Sequence, residues 1–423
     1  MSEAIQAPRG TRDLLPGQLA RWQSVEAALR QVFRSYGYAE LRTPFFEHTE
    51  LFARGIGEVT DIVGKEMYSF LDRKGRSLTL RPEGTAGVVR SYVEHSLGQG
   101  ERGEAKLFYL GAMFRYERPQ AGRYRQFWQA GAEAIGYGDP AVDAESIAML
   151  IHCLKACGLQ GLGVDINSVG CPACRPPYLA RLKQFLLDWK GAMSAESRVR
   201  LETNTLRVLD SKDPADAELI AAAPKGTNHL CTGCSSHFAK VQRHLDRLGV
   251  PFEVNKKLVR GFDYYTRTAF EVLSSDLGAQ SAVAGGGRYD GLVGMFLGKE
   301  RPAVGWAIGL DRLVSLLEAK EPLAPLAMDI AVIGLGEKGF GAAFDLAQRL
   351  RDAGAAVSFD AGRLRSMKAQ FKQASAEGCR LAVILGEDEL ARGVASVKDM
   401  ASQTQTDAPL AGLEAGLLER LRK

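Results

Sequence analysis

Two Cys-x-x-Cys pairs, Cys171 with Cys174 and Cys231 with Cys234, constrain this chain most, because 56 residues lie between them. Each pair has the spacing that lets both sulfurs reach one ion. If the pairs share that ion, the ends of the intervening segment must meet, and the segment must fold as an excursion from a surrounding body. Its texture agrees: it changes from about residue 171 to residue 244, and helical stretches rich in Arg, Lys and Ala sit between the pairs. Four thiolates suit tetrahedral Zn²⁺ and leave no open position, so the expected role is structural. The gap exceeds that of ordinary zinc ribbons, and four reduced thiols without a metal are the competing reading. The first residues lack the apolar core of a signal peptide, and no apolar run has the length to cross a bilayer. A cytosolic chain is expected, with its seven cysteines mostly reduced.

The body around the excursion is long. A chain of 423 residues suggests two or three domains at roughly 150 residues each. Leu19, Trp22, Val25, Leu29, Val32 and Phe33 recur at helical spacing over 18–36, with Gly37 as the stop. Residues 107–119 and 126–137 read as two strands joined by a polar turn. Residues 143–158 read as a helix stopped by Gly158, and 163–170 as a strand. Strand texture returns over 252–273. Residues 281–293 read as a glycine-rich loop, and 302–319 as a strand running into a helix. The proline-containing stretch 321–328 reads as a linker ending near residue 325. Beyond it, strands at 329–335, 355–361 and 380–386 alternate with helices at 340–354 and 366–378, the pattern of a small α/β domain. The expected division is 1–325, with an insertion at about 171–244, and 326–423.

Several stretches carry residues suited to chemistry. In Leu80-Arg81-Pro82-Glu83-Gly84-Thr85 an extended backbone would put Glu83 and Thr85 on one face. A carboxylate beside a hydroxyl suits an ammonium group, while the plain reading is a solvated turn. Arg115, Arg118, Arg123 and Arg125 lie within eleven residues, and guanidinium forks suit phosphate oxygens; a charged exposed turn has the same composition. Gln129, Gly131 and Glu133 fall on one face of a strand, two polar groups flanking a residue without a side chain. That leaves room for a small ligand. Arg260 stands near Tyr264 and Tyr265 beside a strand, although tyrosines also serve as core residues. The run from Ala284 to Asp290 lets backbone approach a ligand closely. Arg312, in the first turn of a helix, adds to the positive end of the helix dipole, which suits phosphate.

The order of these blocks along the chain resembles the histidyl-tRNA synthetase family of class II aminoacyl-tRNA synthetases. The matching blocks are RGTRDLLP, LRPEGT, FRYERPQAGRYRQFWQ, LVRGFDYYTRTAFE, AGGGRYDGL and VGWAIGLDRL, and the resemblance runs from Arg9 through the C-terminal domain. LVRGFDYY and AGGGRYDGL are the blocks specific to histidine. The resemblance implies an α+β catalytic domain, an antiparallel sheet with surrounding helices, carrying a helical insertion and followed by an α/β anticodon-binding domain. It also implies a homodimer with the first catalytic motif at the interface. The implied reaction is ATP-dependent activation of L-histidine, then transfer to the terminal ribose of tRNA(His). Glu83, Thr85 and Gln129 would hold the ammonium and backbone of histidine, Glu133 and Tyr265 would face its imidazole, and Tyr264 would wall the pocket. Arg115 and Arg260 would contact the α-phosphate from two sides, Glu117 and Arg123 would help place the nucleotide, and Arg312 would meet the outer phosphates. Mg²⁺ would accompany pyrophosphate, though no obvious carboxylate cage is present.

Net charge is only +4, from 54 basic and 50 acidic residues, so RNA must meet a local basic patch. Arg363, Arg365, Lys368 and Lys372 offer one, and a solvated helix face is its plain reading. Two other functions are weighed. Gly334-Leu335-Gly336-Glu337-Lys338-Gly339 follows a strand and precedes a helix, with Asp360 about 20 residues on, as a dinucleotide site requires. The chain offers no hydride-transfer domain beside it, so a tight strand-to-helix turn is the preferred reading. The regulatory paralogue of these synthetases, a histidine-sensing subunit of ATP phosphoribosyltransferase, usually lacks both the C-terminal domain and the intact arginine–tyrosine block. This chain has both.

Overall fold

The computed structural model describes residues 5–57, 60, 62–117, 123–258, 264–274, 282–320, 328–361 and 366–422. Arg118, Arg260, Arg363, Arg365 and most of the 321–328 stretch lie outside them. The chain divides into two compact units, residues 1–14 with 21–321 and residues 15–20 with 322–423. No helix among the described residues is long and apolar enough to cross a membrane.

The first unit runs α1 (Pro16–Ser35, its residues from 21 on), β1 (Ala39–Glu40), β2 (Phe46–His48), α2 (Thr49–Ile56), β3 (Tyr68–Leu71), β4 (Ser77–Leu80), α3 (Thr85–Glu94), β5 (Ala105–Phe114), β6 (Gln126–Ile135), α4 (Pro140–Ala156) and β7 (Leu162–Ser168). It continues with α5 (Arg175–Asp188), α6 (Ala195–Thr203), α7 (Ala217–Ala222), α8 (Thr232–Arg247), β8 (Glu253–Val254), β9 (Thr266–Ser274), β10 (Ala282–Arg288), α9 (Leu292–Leu297), β11 (Ala303–Gly309) and α10 (Leu310–Lys320). Among the described residues one sheet has the order β1-β5-β6-β11-β10-β9-β7-β8. Its inner pairs are antiparallel, and the short edge strands β1 and β8 pair parallel to β5 and β7. A smaller antiparallel sheet, β2-β4-β3, stands beside it.

The period of two in β6 explains how the large sheet serves two purposes. Ala130, Ala132 and Ala134 are fully buried in a core shared with Trp22, Leu29 and Phe33 of α1, Ile147 and Leu150 of α4, and Leu313 of α10. Gln129, Gly131 and Glu133 point to the opposite face, where Tyr109, Tyr264, Tyr265 and Tyr289 form a separate cluster. α4 starts where Asp139 accepts the Ala141 N–H at 2.8 Å and Pro140 sets the first turn. Gly158, at φ +97°, takes the chain out of the helix region, as Gly37 does at φ +76° after α1.

Two sequence expectations need correction here. The glycine-rich stretch 281–293 is no loop: residues 282–288 form β10, an interior strand between β9 and β11. Glycine is demanded there by crowding, since a Cβ on Gly286 would lie 2.1 Å from the Gly305 carbonyl oxygen and 2.6 Å from Trp306 Cβ. The helical excursion is also narrower than 171–244. Tyr178, Leu182, Leu186, Leu201 and Leu219 make a small core of their own, but α8 packs on α4 and puts Phe238, Val241 and Leu245 into the main core.

The second unit holds β12 (Ile330–Gly334), α11 (Gly336–Asp352), β13 (Val357–Ser358), α12 (Met367–Ala376), β14 (Leu381–Leu385), α13 (Glu387–Ala391), β15 (Val394–Asp399), β16 (Gln405–Pro409) and α14 (Leu413–Arg422). The strand order is β13-β12-β14-β15-β16; the first three are parallel and the last two add antiparallel. The β15–β16 hairpin and α14 escape the sequence reading, because β16 is mostly exposed, polar and ends in proline. The turn after β12 is the tight one expected. Gly336 has φ +69°, and a Cβ on Gly339 would come within 2.3 Å of the Leu385 carbonyl oxygen.

Candidate active site

The site grows from the end of β4. The segment from Glu83 to Thr85 is not extended, as the sequence reading had it, nor is it a solvated turn. Thr85 opens α3, and the Glu83 carboxylate accepts the N–H groups of Thr85 and Ala86 at 2.6 and 2.8 Å. A carboxylate at a helix N-terminus satisfies two otherwise orphaned donors and sits at the positive end of the dipole. Thr85 then turns its hydroxyl to Glu133 of β6, donating to Oε1 at 2.7 Å. On the other side the Tyr289 hydroxyl donates to Glu133 Oε2. Glu83, Thr85 and Glu133 are thus brought together, each nearly out of reach of solvent.

Cross-strand glycines make room for this cluster. Gly305 and Gly287 follow Glu133 along one row of the sheet. A Cβ on Gly305 would fall 1.7 Å from Glu133 Oε2, and one on Gly287 would lie 2.8 Å from the Tyr265 ring. One row over, the space beside Gly131 is not empty, as the sequence reading had it. The Tyr109 ring fills it, within 2.3 Å of a Cβ built on either Gly131 or Gly84, and its hydroxyl donates to Gln129 Oε1 at 3.4 Å. Tyr264 packs against Tyr265 and Tyr289 with ring centroids 4.8 and 5.7 Å apart. Tyr109 and Tyr289 were given no role in the sequence reading. Tyr289 stands in the quoted AGGGRYD block, whereas Tyr109 becomes visible only when β5 is paired with β6, which sets it opposite Gly131.

The electrostatics follow from burial. Burial raises the Glu133 carboxyl to about 8, with nearby Glu83 adding to the rise against the two hydroxyl donors. Burial also raises Glu83, opposed by its backbone N–H groups and by the charge of Arg115. The phenols of Tyr109, Tyr264 and Tyr289 are pushed well above their ordinary value for the same reason. The hydrogen bonds recorded at both carboxylates come from neutral donors. A cation brought by a ligand is the group that suits such a pocket.

The arginines flank it. Arg115 is aimed by its Nε, which donates to the Pro82 carbonyl at 2.8 Å, and its guanidinium lies 5.2 Å from the Phe127 ring centroid. Glu117 lies between Arg115 and Arg123, 3.8 and 3.5 Å from them. Arg312 is in the first turn of α10, as expected. Burial lowers its pKa, the charge of Arg123 adds to that, and Glu271 opposes both. Arg115, Glu117, Arg123 and Arg312 therefore make one charged strip, while Arg260 lies outside the described residues. Asp311 accepts from Arg12 at 2.8 Å and from the Trp128 N–H at 2.7 Å, which ties the start of α10 to β6. In the second unit Lys368 and Lys372 are exposed on α12.

All four cysteines of the two pairs meet, every sulfur within 4.8 Å of the others.

The family described as Histidyl-tRNA synthetase matches residues 10–173 and 192–313, and the family described as Anticodon binding domain matches 329–420. A histidine–tRNA ligase of Moorella thermoacetica is 50% identical over 408 residues, covering 96% of each chain. The crystal structure of apo S. aureus histidyl-tRNA synthetase superposes with a TM-score of 0.82 at 35% identity, covering 98% of this chain and 100% of that one. A structure described as an ATP phosphoribosyltransferase regulatory subunit/histidyl-tRNA synthetase from Bacillus halodurans shares the fold, with a TM-score of 0.66 at 24% identity over 91% of this chain and all of that one.

Proposed function

Since this chain belongs to the histidyl-tRNA synthetase family, we propose that the cluster around Glu83 and Glu133 is its histidine pocket and the arginine strip its ATP site. The reaction is activation of L-histidine by ATP, followed by transfer to tRNA(His). A carboxylate oxygen of histidine attacks the α-phosphorus, a P–O bond forms, and the bond to the departing pyrophosphate breaks. A hydroxyl of the terminal ribose then attacks the histidyl carbonyl, and AMP leaves. Both steps gain chiefly from positioning and from charge placed where it develops.

Glu83, Thr85 and Gln129 receive the ammonium and backbone of histidine. Glu83 keeps acceptor capacity for this, since two N–H groups use about half of a carboxylate's lone-pair sites. Glu133, with Tyr265, meets the imidazole, and Tyr264 walls the pocket. Arg115 contacts the α-phosphate from one side, supported by its fixed Nε, and Arg260 from the other. Glu117 and Arg123 help place the nucleotide, and Arg312 meets the outer phosphates. Mg²⁺ bound with the nucleotide would supply countercharge at the pyrophosphate, beside Arg312. Residues 326–423 form the anticodon-binding domain, with exposed Lys368 and Lys372, and Arg363 and Arg365 of the same basic stretch, as phosphate contacts. We also infer a cytosolic homodimer, supported by Phe45, Phe46, Phe70 and Leu71, which are exposed on and beside the small sheet. The regulatory alternative finds no support beyond a shared fold.

The observation that carries this reading is the pair of buried carboxylates, bonded by neutral donors within a tyrosine wall and beside Arg115. Its test is Glu133→Gln. Glu133, protonated in the empty pocket, ionises when it meets a cationic ligand, and loss of that charged hydrogen-bond partner is worth about 1.5–3 kcal/mol, so the KM for histidine should rise about 10- to 100-fold while the KM for ATP stays put. An unchanged histidine KM would refute the assignment.

A further inference from the structure

We propose that Cys171, Cys174, Cys231 and Cys234 hold one structural Zn²⁺ that pins both ends of the helical excursion to the catalytic sheet. Four ligands about 2.3 Å from a tetrahedral centre lie about 3.8 Å from one another. The sulfurs of Cys171 and Cys174, of Cys171 and Cys231, and of Cys174 and Cys234 are each 3.8 Å apart. That separation is far too long for a disulfide, whose sulfurs lie about 2.05 Å apart, and all four cysteines are unpaired. What burial alone does not require is that four thiols from two distant Cys-x-x-Cys pairs converge, every sulfur within 4.8 Å of the others.

The backbone is shaped around the four sulfurs. Cys174 precedes α5 and Cys231 precedes α8, so two helix N-termini converge on the cluster. The Cys171 N–H points at Cys174 Sγ at 3.3 Å. Gly170, at φ +75°, lets the chain turn there, and a Cβ on it would come within 3.0 Å of Cys174 Sγ. Cys174 and Cys234 are buried and the other two half-buried, and four cysteines together fill every position of a tetrahedral ion. This is the closed arrangement of a structural site rather than a catalytic one.

What such an ion would fasten is also visible. The Gly170 carbonyl accepts the Arg267 N–H at 2.8 Å and the Thr266 hydroxyl at 3.1 Å, and Arg175 Nη1 donates to the Tyr265 carbonyl at 3.0 Å. The knot therefore braces the entry to β9, next to Tyr264 and Tyr265. On the far side α8 sits in the main core. Without the ion, the excursion would hang on its own small core.

Metal analysis of full-length protein, purified without chelator from zinc-supplemented medium, should find about one zinc per chain. A mercurial reagent should release it as the thiols react. Replacement by Co²⁺ should give the thiolate-to-cobalt charge-transfer band and the visible bands of tetrahedral coordination. The Cys171→Ser/Cys231→Ser double variant should bind no zinc and melt at a lower temperature. If that variant does not fold, the wild-type metal content and cobalt spectrum decide alone. Metal-free wild-type protein of equal melting temperature, an octahedral cobalt spectrum, or a disulfide within either pair would overturn the proposal.

Discussion

Glu133 holds its proton up to about 8 because its carboxyl is buried, whereas a glutamate in the unfolded chain ionises near about 4.3. Between those values the native state binds more protons than the unfolded state, so stability falls as pH rises. The contribution is fully present below about pH 4, is lost progressively up to about pH 8, and is constant beyond. At about 1.4 kcal/mol per pH unit the loss amounts to a few kcal/mol. Glu133→Gln removes the titration. The melting temperature of wild type relative to this variant should therefore decline from pH 5 to pH 8 and then level off. A flat difference across that range would show that Glu133 does not titrate as its burial requires. Glu133 and Gln129 were legible in the sequence because a period of two puts them on one face. Tyr109 and Tyr289 were not, because each reaches the cluster from another strand or its end, and only the sheet's pairing order brings them there.

At the level of elements, the glycine strand β10 is the least legible part of the site and among the most constrained. A run of glycines has no hydropathy pattern, so it reads as a loop. Pairing with β9 and β11, and the rings pressed against it, make it an interior strand. Gly286→Ala should be severely destabilising, by more than about 4 kcal/mol, because its Cβ would lie 2.1 Å from a backbone oxygen that cannot move aside cheaply. Gly163→Ala in β7, whose Cβ would meet nothing within 4 Å, should cost little or even stabilise the strand. Equal melting temperatures for the two variants would contradict this account of β10. The α3 start was misread for a related reason. Glu83 looks like a solvated residue until the helix that follows uses its carboxylate as a cap. By contrast α1, α4 and β11 with α10 carry their own stop signals or periodicity, and the sequence was sufficient for them.

For the whole molecule, the order of elements supports a catalytic unit built on an antiparallel sheet and a second unit with its own sheet. The parallel half of that second sheet was legible as alternating strand and helix. The hairpin completing it was not, since exposed strands lose the apolar alternation that marks them. The catalytic unit is a histidine-activating site. A pocket built to pair an imidazole leaves its buried polar groups unpaired with other side chains, and such sites discriminate by up to about 10⁴. The most direct test is amino-acid-dependent ATP–pyrophosphate exchange on the full-length protein, with histidine run against the other natural amino acids. Exchange with histidine and with no other at comparable rate is the result predicted; equal exchange with another amino acid, or none with histidine, would contradict it.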